Sequence, residues 1–228
     1  MKSWTITRRI VTGFAIIVSL STAMGILTWN RMCVIDQHAE ELSVENVPGM
    51  AQSADLLQGV SAAHLILFRG VLATNLEERK ACAAKVKELA ETNAKLVGDI
   101  EKLCRDSKEN SILEQLKQAR QKYLNAIGPI TQLSDAGKSQ EALARLLTSG
   151  NDAFTNYDAV AMALNDLETD HGTGAAATIR ENAQSTKVRL GSTVLLDFII
   201  GVLLSFLVVG GLNRMLRTIS SSVGDGAE

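Results

Sequence analysis

Residues 86–103 read VKELAETNAKLVGDIEKL. Val86, Leu89, Asn93, Leu96, Ile100 and Leu103 recur there at alternating steps of three and four. That spacing gathers them into one stripe on one side of a helix, heptad-like, with a single polar member. Moving outward, the same pattern returns three times. It runs through Met50, Ala54, Leu57, Ser61, His64, Phe68 and Val71, and again through Ile112, Leu116, Ala119, Tyr123, Ala126 and Ile130. It returns last through Tyr157, Val160, Leu164, Leu167, His171 and Gly174. No stretch shows convincing strand character. Each stripe must be covered by another, so the economical fold is all-α, an antiparallel up-down four-helix bundle over residues 30–192.

The breaks between stripes are legible. In ATNLEE, Asn75 reads as a helix N-cap with Glu78 three residues later. RDSKENS reads as a polar turn, and LSDAGKSQEA interrupts the third helix before Ser139 restarts it. GNDAF reads as a further kink. Gly128-Pro129 is expected to bend its helix without ending it, and HGTGAA to weaken the fourth helix locally.

On either side of the bundle the composition changes. IVTGFAIIVSLSTAMGILTW (10–29) carries no charge, and twenty residues of helix rise about 30 Å, the thickness of a hydrocarbon core. A cleaved signal peptide is the competing reading, with Lys2, Arg8 and Arg9 as its basic region and Ser21–Ala23 as its cleavage site. The apolar run continues past that site to Trp29, an interfacial anchor, which favours a retained span. A second span covers 193–212, apolar apart from Asp197. Basic residues flank the outer ends of both, Lys2, Arg8 and Arg9 before the first and Arg214 and Arg217 after the second. Residues 1–9 and 213–228 are therefore expected on the cytoplasmic side, with 30–192 outside, in the periplasm if the cell has two membranes. Asp197 lies about a turn inside the second span, where local water could solvate it, although a carboxylate within a span is a functional candidate by default. Ala15, Ser19 and Ala23, at a four-residue step, offer a helix-packing seam.

The net charge of −2 and the absence of an aromatic-interleaved basic patch give no reason to expect nucleic acid. His38, His64 and His171 show no metal-ligand spacing with one another or with Cys33, Cys82 and Cys104. Phosphate-binding loops, dinucleotide fingerprints and nucleophile motifs are missing too, so no enzyme, cofactor or metal is expected. Three scattered cysteines make no disulfide framework. They read as unpaired small residues, with Cys33 the first candidate for a bridge between molecules.

Antiparallel helices set residues by height. Counting 1.5 Å per residue from the membrane surface, Arg69 lies about 60 Å out, level with Asp135 and Phe154 and beside the distal loops. Its planar fork suits a carboxylate ligand, while the plainer reading pairs it with an acid such as Asp135 or leaves it in solvent. His64 reads first as a partnered stripe histidine, with Tyr157, nearly level with it, as the partner. The tentative ligand-binding set is His64, Arg69 and Tyr157.

The layout resembles a known family, the bacterial transmembrane chemoreceptors, or methyl-accepting chemotaxis proteins, with a four-helix-bundle sensor. The likeness is carried by MKSWTITRRIVTGFA, ENVPGM, LSDAGKSQEALARLL and the closing GGLNRMLRTISSSVGDGAE. It implies a homodimer that senses a small molecule or a periplasmic protein near the distal end of its first and fourth helices. It also implies a piston- or rotation-like signal through the second span. The family's cytoplasmic hairpin, methylated on glutamates and docked to a chemotaxis histidine kinase and adaptor, is not in these residues. The final helix thus reads as the truncated start of an output module. It lacks the proline of the common linker after the second span, and resembles receptors whose helix runs directly into the hairpin. The same layout resembles the input modules of histidine kinases and cyclic-dinucleotide enzymes. A stand-alone two-span protein that associates with or modulates receptors is the alternative from another class.

Overall fold

The computed structural model describes residues 6–104 and 106–224, and those residues are helical apart from three short turns. The helices are α1 (Ile6–Glu41), α2 (Val47–Leu72), α3 (Leu76–Leu103), α4 (Ser107–Asp135), α5 (Ser139–Arg145) and α6 (Asn151–Gly224). Two π-helical turns, Leu42–Asn46 and Leu146–Gly150, join α1 to α2 and α5 to α6. The first has a cause in sequence. Pro48 sits in the first turn of α2, and its ring crowds the carbonyl four residues back while its nitrogen cannot donate, so the coil widens ahead of it. In the second, where GNDAF was expected to kink, Thr148 and Ser149 hydroxyls donate to backbone carbonyls of the preceding turn.

The chain divides into two units, one of residues 39–177 and one of residues 1–38 with 178–228. The first is the four-helix bundle, built of α2, α3, α4 and the α5–α6 column. Its turns are made by the residues that announced them. The Asn75 side chain accepts from the Glu78 N–H. Asp106 opens α4 in a capping box with Glu109. Gly137 takes φ +76°, a left-handed conformation that only glycine adopts without strain, between α4 and α5. Pro129 stays inside α4.

Leu56, Ile100, Leu113, Leu116, Ile130, Leu146 and Leu164 are fully buried along the bundle axis. Each contributes about 1.5–3 kcal/mol by leaving water. Three of the expected stripes contribute to this core, although Gly174 at the end of the α6 stripe is exposed, but the α2 stripe is rotated. Its buried row is Gly49, Ser53, Leu56, Val60, Ala63, Leu67, Gly70 and Val71, whereas Ala54 and Ser61 are exposed. A shift of one residue turns a helix by about 100°. The α2 sequence is apolar on two sides, so periodicity alone does not choose between them.

In the other unit, the described parts are residues 6–38 and 178–224. The chain has two helices long and apolar enough to cross a membrane. Within the unit they meet side by side. Gly13 faces Leu204 closely, and Ser21 Oγ donates to Asp197 Oδ2 at 3.0 Å. Asp197, expected to rely on local water, instead takes its partner from the neighbouring helix. Ala15, Ser19 and Ala23 are exposed, on a different side from buried Gly13. Of the basic flanks, Arg8 is exposed, while Lys2, the last four residues and the side chains of Arg9, Arg214 and Arg217 lie outside the described residues.

Candidate functional site

The aromatic residues of the bundle gather in one place because α2, α4 and α6 bring His64, Tyr123, Phe154 and Tyr157 to a common height. The His64 ring stacks on Phe154, with centroids 3.9 Å apart and planes within 7°. Its Nδ1 lies 3.3 Å from the Tyr123 hydroxyl, and Phe68 meets it edge-on. Tyr123 continues the cluster to Tyr157, centroid to centroid 5.8 Å. The expected partner of His64 was Tyr157. Tyr123 takes that place, because it comes from α4 on the side His64 faces. Tyr157 belongs to the same cluster one ring further on, almost wholly buried.

Burial sets the electrostatics here. Desolvation holds the His64 imidazole below its usual value, partly opposed by the nearby Asp158 carboxylate, which accepts from Ser61 Oγ. Desolvation also raises Tyr123 and pushes Tyr157 up to about 12. The cluster is thus neutral near pH 7: rings, hydroxyls and an uncharged imidazole.

Arg69 stands apart, its side chain 69% exposed near the α2–α3 turn. Its Nε and Nη2 both donate to Glu78 Oε1, at 3.1 and 2.9 Å. The acid that meets it is Glu78, just beyond the α2–α3 turn, rather than Asp135. The neighbouring contacts keep Asp135 near the height expected for it, whereas Phe154, expected level with Arg69, stacks on His64 instead. Ser134 Oγ donates to the Gly70 carbonyl, and Arg79 Nη1 donates to the Ser134 carbonyl. Of the three tentative site residues, His64 and Tyr157 share the aromatic cluster and Arg69 lies outside it.

A family model described as a four helix bundle sensory module for signal transduction matches residues 3–183. The chain belongs to this family of sensory modules. The match takes in the first apolar helix together with the whole bundle. No curated protein matches the chain.

The opposite end of this sensory module holds a cluster that histidine and cysteine spacing did not reveal. His171 Nδ1 lies 2.8 Å from Glu109 Oε1, and its Nε2 lies 3.9 Å from Asp106 Oδ2. Among the described residues, these three offer donor atoms within 4.8 Å of one another, a set a divalent cation could use. Both acids already serve α4: Asp106 Oδ1 accepts from the Lys108 and Glu109 N–H groups, and Glu109 Oε2 accepts from the Asp106 N–H. Those backbone donors, the Glu109 N–H first, hold the Asp106 carboxyl below the usual range. The legible signal was the capping box DSKE. The arrival of His171 beside it depends on packing across the bundle. Next to it, burial and the surrounding carboxylates push the Cys104 thiol up to about 11.

Proposed function

We propose that this chain is the sensing and transmembrane portion of a chemoreceptor-like protein. The observation that carries the reading is the order of parts: a sensory bundle of a signal-transduction family, in a chain with one membrane-length apolar helix near each end. In this reading the bundle faces the periplasm or cell exterior, both termini lie in the cytoplasm, and a cue is passed through the second span to a cytoplasmic output. A small-molecule ligand or a periplasmic protein is the cue, and a chemotaxis histidine kinase with its adaptor is the downstream partner of a parent carrying the signalling hairpin. Enzymatic chemistry has no part in it.

The working unit is a homodimer. Support comes from the second apolar side of α2, where Val47, Ala51, Ala54, Gln58, Ser61, Leu65 and Leu72 are all exposed at heptad spacing. Leu65 is 71% and Leu72 56% exposed. Two copies of such a stripe bury each other as a coiled coil does.

For the ligand, the residues favoured are Arg69, whose guanidinium lies at the surface beside Glu78, and the cluster of His64 and Tyr157. The test is a thermal-shift screen of amino acids and organic acids on the full chain in nanodiscs. A ligand at 100 times its Kd adds about 2.7 kcal/mol of stability. A shift abolished by Arg69→Ala supports a distal small-molecule site. A folded protein that responds to no compound defeats the small-molecule reading in favour of a protein cue.

A further inference from the structure

Asn93 is the polar member of the stripe that defines α3, and it is 3% exposed. Its amide packs against Gly59 of α2, where a side chain would collide with it. Its Oδ1 has no donor in the protein. Tyr157, on α6, is 2% exposed and its hydroxyl likewise has no protein partner. A buried acceptor and a buried hydroxyl without partners are each costly.

Both side chains line one internal cavity, with Val60, Ala63, Arg120 and Tyr123. The two other polar side chains that line it each have a protein partner. The Tyr123 hydroxyl pairs with His64, and Arg120 Nη2 donates to the Ala90 carbonyl at 3.1 Å. The cavity measures about 10 Å³, the room one water needs and too little for an organic ligand. Its chemistry is equally selective. Asn93 Oδ1 can only accept, so the occupant must donate to it, and the un-ionised Tyr157 hydroxyl, which both donates and accepts, can pair with the same molecule.

We propose that this cavity is a binding site for one resident water, which donates to Asn93 Oδ1 and accepts from Tyr157 Oη and so ties α3 to α6 through the core. The water satisfies both groups. It also accounts for an asparagine at a stripe position where Leu or Val would otherwise pack.

Two measurements test it. A crystal structure of the full chain, at a resolution that shows ordered solvent, should hold one peak within hydrogen-bonding reach of both atoms. A cavity without density, or an Asn93 rotamer bonded directly to Tyr157, overturns the proposal. Chemical denaturation of the solubilised full chain then compares Asn93→Val, Tyr157→Phe and the double variant. A shared water couples the two positions, so the double variant should unfold about tenfold less readily than the product of the single effects predicts. Strict additivity overturns the proposal as well.

Discussion

His64 of α2 lies flat on Phe154 of α6, ring on ring at 3.9 Å, although the two stand on the first and last columns of the bundle. The contact holds the imidazole in a half-buried, desolvated position that favours its neutral form. A proton on His64 therefore works against the stack, and the unfolded chain binds that proton more readily than the folded one.

The pH dependence follows in sign. An unfolded histidine titrates near pH 6.5, and the folded value of His64 lies below it. Stability from this residue is complete above pH 6.5, falls as the pH drops through the window between the two values, and levels off below the folded one. Denaturation midpoints of the wild type and His64→Gln between pH 5 and 8 should diverge in their slopes, with the shallower loss in the variant. Parallel curves would refute the assignment.

Gly59 should resist the usual helix rule. Gly→Ala in a helix interior ordinarily stabilises by about 0.5–1 kcal/mol. At Gly59 the new methyl meets the Asn93 amide, and overpacking of this kind costs about 1–3 kcal/mol. Urea denaturation of Gly59→Ala should therefore show a loss. Gly98, where an added methyl meets nothing within 4 Å, is the control that should gain.

Arg69→Ala should leave stability almost untouched. Arg69 is exposed and its partner Glu78 partly so, and ion pairs at the surface contribute about 0–1 kcal/mol. A variant with a normal melting curve and lost ligand response would separate recognition from folding.

Ser21→Ala removes the hydrogen bond to Asp197. Bonds of this kind between membrane helices average about 0.6 kcal/mol. Unfolding of the chain in mixed micelles should show a loss of that size, and Ser21→Thr, which keeps a hydroxyl, should recover part of it.

Leu65→Glu places a charge in the exposed stripe of α2 without touching the core, since Leu65 is 71% exposed. Light scattering should report a dimer for the wild type and a monomer for the variant, with unchanged helical content. A variant that remains dimeric would place the interface elsewhere.

Much of this architecture follows from local physics. The three-four spacing of Val86–Leu103, the caps at Asn75 and Asp106, the glycine at 137 and the two uncharged runs act through neighbours in sequence. They specify helices, their ends and their lengths wherever the chain is placed. Short turns between helices then leave few arrangements besides an antiparallel bundle, and counting residues brings His64 level with Tyr157 and Arg69 level with Asp135. Which side of a helix turns inward is a different matter. α2 is apolar on two sides, and the choice of the Leu56–Val60–Leu67 row over the Ala54–Ser61 row was made by the packing of α3, α4 and α6 against it. Partners were likewise settled in three dimensions. His64 met Tyr123, Arg69 met Glu78, Asp197 met Ser21 and His171 met the cap of α4, because a hydrogen bond depends on ångströms and side-chain direction, while sequence spacing conveys only height along a helix.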